Sequence, residues 1–152
     1  MVVAVCTDSE ENYGAISSAV KSYGEQKKCL LVPRKFSGEE YLKEQKSYWY
    51  PITIFALDDV MNQELSICAR GLSEASQFIW IGQDKRFGMA AYRIGIAYAI
   101  LEPASEKELF TGLDRCFMRL ERSGIVPAWE ERRGGCKEWI ISDRPEDIVG
   151  RR

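Results

Sequence analysis

The chain has 152 residues, 45% of them hydrophobic, with 21 basic and 23 acidic side chains for a net charge of −2. That length suits one compact domain, and the balance supplies neither the basic field of a nucleic-acid binder nor the acidic tail of a disordered segment. There is no histidine, which excludes Ser-His-Asp and Cys-His catalysis, histidine metal ligation and a histidine pH switch.

In chain order, Val2 to Cys6 is a continuous apolar run, the pattern of a strand buried on both faces. Thr7-Asp8-Ser9 reads as a helix cap, and Tyr13, Ile16, Val20 and Tyr23 recur at helical spacing as far as Gly24, a stop signal. Cys29 to Val32 is a second strand, ended by Pro33, and Phe36 to Leu42 reads as a loop entering a short helix with acidic residues in its first turn. Tyr48, Trp49 and Tyr50 precede the third strand, Ile52 to Ala56, and favour turn packing over a surface patch. Leu65, Cys68, Ala69 and Leu72 mark the next helix.

The alternation continues with a fourth strand, Phe78 to Ile81, closing on Gly82. A helix from about Phe87 to Ile94 ends at Gly95, and Tyr98 to Leu101 is a fifth strand. Leu109, Leu113, Cys116, Phe117 and Leu120 make one apolar stripe on a helix from about Ser105 to Arg122. Such strand–helix alternation predicts a doubly wound α/β domain with a five-stranded parallel sheet. After Ser123-Gly124 the pattern changes: Ala128 to Arg133 and Cys136 to Ser142 flank Gly134-Gly135, which predicts a C-terminal hairpin extension over 123–152 ending in a loose tail.

The five cysteines are odd in number, scattered, and form no C-x-x-C, so neither a zinc ribbon nor a redox pair is indicated. Cys6, Cys68 and Cys116 lie on apolar faces and read as small buried hydrophobes, with Cys136 the exposed one. The run Val2 to Val5 is too short for a signal peptide, and no segment has the roughly 18 apolar residues of a membrane span. The expectation is a reduced, cytoplasmic, soluble protein with no membrane partner.

In an open parallel sheet, ligands bind outside the carboxyl ends of the strands. The residues there are Thr7 and Asp8, Ala56 to Asp59, Gly82 to Asp84, and Glu102-Pro103. Asp8, Asp58 and Glu102 could collect Mg²⁺, but capping by Asp8 and solvation of the others is the favoured reading. There is no G-x-x-x-x-G-K-S/T phosphate loop, so an enzyme is disfavoured and no cofactor is expected.

Three segments carry a resemblance. Val3 to Glu11 resembles the opening of a two-component receiver domain, where a strand delivers paired acidic residues. Phe36-Ser37-Gly38-Glu39-Glu40-Tyr41-Leu42 looks like a segment common in receivers of Lyt-type response regulators, and Ala91 to Pro103 resembles the family's block ending in Lys-Pro. The resemblance covers roughly 2 to 122, within a receiver-like domain expected at 1–122, and implies the sheet order 2-1-3-4-5. It implies a cis Glu102-Pro103 bond, and Glu102 should then face the pocket mouth or solvent.

The departures bear on function. The family's phosphoacceptor aspartate, ending strand three, falls on Ala56; its Mg²⁺-binding acidic pair becomes Thr7-Asp8, leaving Asp8 as a weak metal candidate. Its Thr or Ser after strand four is Gly82, and its pocket lysine is Glu102. A methyl group cannot be phosphorylated, and Glu102 would repel a phosphoryl anion where lysine would pair with it. The resemblance therefore implies a degenerate, phosphorylation-independent interaction module. Its partner, another protein or a second copy, would use the last two helices and the fifth strand, with Phe87, Tyr92, Phe110 and Met118 as contacts. The alternative is an N-terminal fragment of a LytTR-type transcription regulator, phosphorylatable at Asp58 or Asp59, with DNA a partner only through an output domain that follows. Residues Gly134 to Val149 faintly resemble the opening of that domain.

Overall fold

The computed structural model describes residues 1–124. The expected hairpin at 128–142, the loose tail and Cys136 lie outside the described residues. Five strands form one parallel sheet in the order β2-β1-β3-β4-β5, from β1 (Val2–Cys6), β2 (Val32–Phe36), β3 (Ile52–Phe55), β4 (Gln77–Gly82) and β5 (Tyr98–Leu101). The helices are α1 (Glu10–Lys27), α2 (Gly38–Gln45), α3 (Asp59–Leu72), α4 (Lys85–Arg93) and α5 (Glu106–Arg122). None is long and apolar enough to cross a membrane among the described residues.

Because side chains alternate along a strand, the central strands feed two cores. Val3, Val5, Ile52, Ile54, Ile79 and Ile100 pack with Val20, Tyr23, Leu113 and Phe117 of α1 and α5. Ala4, Cys6, Phe55, Phe78 and Trp80 face the other way, against Tyr41, Leu65, Ala69 and Ala91 of α2, α3 and α4. Burial on both faces is why β1, β3 and β4 read as largely apolar runs, with Thr53 and Gln77 the buried polar exceptions.

Local chemistry sets the helix starts. Ser37 and Glu40 form a reciprocal capping box on α2, and Ser105 and Glu108 form another on α5. Ser9, not Asp8, caps α1, its Oγ accepting the Asn12 N–H at 3.1 Å.

Several expectations need correction. Cys29 to Val32 is not the second strand: β2 begins at Val32 and runs through Pro33. It is an edge strand, where a missing N–H is tolerated, and Cys29 and Leu31 are buried in the connection before it. Gly24 does not stop α1. It lies within the helix, where the absence of a side chain admits the Cys29 carbonyl oxygen, 2.7 Å from where a Cβ would stand, and the helix ends on Lys28 at φ 53°. Cys68 is exposed; the buried face of α3 is Asn62, Leu65, Ser66 and Ala69. The expected turn packing holds for Trp49 and Tyr50, which are buried, Trp49 Nε1 donating to Ser73 Oγ at 2.8 Å; only Tyr48 is exposed.

Candidate functional site

The carboxyl ends of β1, β3, β4 and β5 bring Thr7, Asp8, Ala56, Gly82 and Glu102 to one edge of the sheet. Thr7 and Ala56 are buried, held in the sheet by Thr7 N–H to Phe36 O at 3.2 Å and Ala56 N–H to Cys6 O at 2.8 Å. The Ala56 methyl belongs to the apolar core shared with α1 and α5. Asp8 and Glu102 are exposed. Glu102 donates its N–H to Gly82 O at 2.8 Å, and its carboxylate accepts from Gln83 Nε2 at 3.3 Å. The Glu102-Pro103 peptide is cis. Cys6, beneath this edge, has its thiol pushed well above the ordinary value by burial, with Asp8 adding to the effect.

Two aspartates after β3 have distinct work. Asp58 caps α3, its carboxylate accepting Met61 N–H at 2.8 Å. Asp59, the next residue, reaches across to the β4–α4 loop and accepts Gln83 N–H at 3.2 and 3.3 Å and Asp84 N–H at 3.0 Å. Its carboxylate lies over Gly82, where a Cβ would collide with Asp59 Oδ1. Thus Gly82 lacks a hydroxyl, and its missing side chain is the space that admits Asp59. Asp84 in turn caps α4 and pairs with Arg86 at 2.9 Å, which holds its carboxyl below the usual range.

Asn62, absent from the sequence-based set, ties these loops together. Fully buried, it accepts Leu57 N–H at 2.9 Å and donates to Ile81 O at 3.1 Å, joining the chain after β3 to the end of β4. Ser66 Oγ donates to Asn62 O at 2.5 Å and accepts from Trp80 Nε1 at 2.6 Å. A signal existed: Asn62 stands on the apolar stripe three and seven residues before Leu65 and Ala69. Asn62→Ala is expected to cost about 2 kcal/mol, since it leaves a buried carbonyl and a loop N–H without partners. Urea unfolding of the two proteins measures it.

The four expected contact residues divide. Tyr92 and Met118 are exposed, as are Met89 and Leu101. Phe87 is partly buried against the core under α4. Phe110 is half-buried and meets Tyr23 of α1 edge-on at 5.3 Å between centroids, turned away from an open surface. Among the described residues, no group of three or more acidic or cysteine side chains is placed to hold a metal ion.

No protein-family model and no curated protein matches the sequence. Solved structures do match in shape. A CheY-like response regulator receiver domain protein from Methanospirillum hungatei is 12% identical, with a TM-score of 0.66 over 80% of this chain and 97% of the other. The pilus assembly protein CpaE from Caulobacter crescentus is 10% identical, with a TM-score of 0.62 over 74% and 96%. The chemotaxis response regulator CheY4 of Vibrio cholerae is 16% identical, with a TM-score of 0.59 over 76% and 97%. The described chain has the receiver fold, with the sheet order 2-1-3-4-5 and five helices. These neighbours carry different descriptions on one architecture, so function must be argued from the site.

Proposed function

We propose that this chain is a receiver-like signalling module that works without phosphorylation. The observation that carries the reading is the seat of Asp59: an anionic side chain of the protein's own takes the Gln83 and Asp84 N–H groups over Gly82. Loop N–H groups at a helix start favour an anion, and here that demand is already met. Ala56 supports the reading because it offers no acceptor oxygen. Glu102 does too, because it puts a carboxylate where a phosphoryl anion would need a cation.

Asp58 and Asp59 are poor substitutes for the acceptor. Asp58 is engaged in capping α3 and Asp59 in holding the β4–α4 loop, and phosphoryl transfer depends on positioning. The exposed apolar side chains Met89, Tyr92, Leu101 and Met118 supply the contact for a protein partner or a second copy. Kinship with receivers of Lyt-type regulators rests on the sequence of Phe36 to Leu42 alone; in the fold its Ser37 and Glu40 form the α2 capping box. The buried thiols of Cys6 and Cys116 suit a reducing, cytoplasmic setting.

The test is intact-mass analysis after incubation with acetyl phosphate and Mg²⁺. No phosphoryl adduct is expected. An adduct that disappears in Asp58→Asn or Asp59→Asn would overturn the reading and restore a phosphorylatable receiver.

A further inference from the structure

Between α4 and β5 lies a cleft of about 310 Å³, the lower end of the size range of small-molecule sites. Trp80 makes its buried floor beside Ala99, and Met89, Tyr92 and Leu101 surround its mouth. Its walls are set in place before any ligand arrives. Tyr92 accepts the Ala99 N–H through its hydroxyl at 3.1 Å, fixing the ring against the edge strand. Gly88 faces Ala99 across the base of the cleft, where a Cβ would make ordinary contact with the Ala99 Cβ at 3.6 Å.

The polar end of the cleft is acidic. Asp59, Asp84 and Glu108 line it against the single cation Lys85. Asp84 is neutralised by Arg86. Asp59 receives only backbone N–H groups, and Glu108 receives only the N–H and hydroxyl of Ser105. Neither is in an ion pair among the described residues. Each carboxylate therefore has no counter-ion among the described residues where it lines a largely apolar cavity, in which a cation would be held more strongly than in water.

The geometry points to a binding site for a small amphipathic amine, its apolar body against Trp80 beneath Met89 and Tyr92, its ammonium between Asp59 and Glu108. This goes beyond the module reading and holds whether or not the chain is ever phosphorylated. An anionic ligand is disfavoured by the carboxylates, and a neutral one forgoes them. A lysine side chain from a protein partner shares the charge but would need an extended surface contact as well.

The probes are phenethylamine, its neutral analogue phenylethanol and its acidic analogue phenylpropionate, added to the full chain while backbone amide chemical shifts are followed. Phenethylamine is expected to bind with a dissociation constant of about 1 mM, with shifts confined to the residues around the cleft, 58–60, 80–92, 99–101 and 105–109. Phenylethanol and phenylpropionate should bind at least about tenfold more weakly. Ala99→Leu, which fills the cleft, should abolish binding. Glu108→Gln, which keeps a capping side chain, should remove most of the preference for the amine over the alcohol. Equal binding of all three probes, shifts elsewhere on the chain, or no binding of the amine, whether or not a lysine-containing peptide binds, would each overturn the assignment.

Discussion

Placing an aspartate at position 56 is expected to destabilise the fold by about 3–5 kcal/mol at neutral pH, the usual cost of an uncompensated buried charge, and to restore no phosphorylation. Ala56 is 5% exposed and its methyl lies in the apolar core shared with α1 and α5. The residues at the neighbouring strand ends are Thr7, Asp8, Gly82 and Glu102, none of them a cation. A carboxylate introduced there loses water and meets like charge, and both raise its pKa. A carboxyl whose folded pKa lies above its unfolded value near 3.9 favours the protonated form. Its penalty is therefore full above the folded pKa and fades as pH falls toward about 4. The Ala56→Asp protein should thus recover most of its deficit, relative to the parent, between neutral pH and about pH 4. Urea unfolding at both pH values measures this. Adding Glu102→Lys should recover part of the deficit at neutral pH, because it supplies the cation the site lacks. A deficit equal at both pH values would mean that the cost is steric and that the edge holds no unfavourable field.

Much of this fold is legible where a single physical demand governs a segment. The run Tyr98 to Leu101 is β5 as expected, and the stripe from Leu109 to Leu120 is the buried face of α5. Strand order is not written in such runs; the ordered motifs around Thr7-Asp8, Ser37 and Pro103 implied it, and the sheet has it. Expectations failed where two demands compete. Pro33 is a poor central-strand residue yet tolerable at an edge, and only the sheet order shows that β2 is one. Gly24 looks like a terminator, but it serves the close approach of the Cys29 carbonyl. Phe110 lies off the stripe that faces the sheet, yet α5 has a second neighbour in α1, and Tyr23 covers that face.

The site was legible as positions and not as a mechanism. Thr7, Asp8, Ala56, Gly82 and Glu102 do gather at one edge, as parallel topology requires. What they leave room for depended on side-chain reach. Asp59 is one of two adjacent aspartates, and nothing in the sequence says which caps α3 and which crosses to the β4–α4 loop. Their helical positions decide it: Asp58 has the extended backbone of a cap, and Asp59 is the first residue of the helix.

That division makes Gly82 and Asp59 energetically dependent on each other. Gly82→Thr is expected to cost about 3–5 kcal/mol in the parent, combining crowding at a buried glycine with loss of charge-assisted hydrogen bonds from the displaced carboxylate. The collision is with Asp59 Oδ1, the end of a short side chain whose alternative is to swing into solvent. Its release abandons the N–H groups of Gln83 and Asp84, which then depend on water. In an Asp59→Ala background those bonds are already gone and the space above residue 82 is open. There Gly82→Thr should cost about 2 kcal/mol less than in the parent, within the range of coupling between residues in contact. A double-mutant cycle by urea unfolding gives the number directly. Additive costs would mean that Asp59 does not fill the space over Gly82. The β4–α4 loop would then have an unclaimed set of N–H donors, and the case for a module independent of phosphorylation would lose its main support.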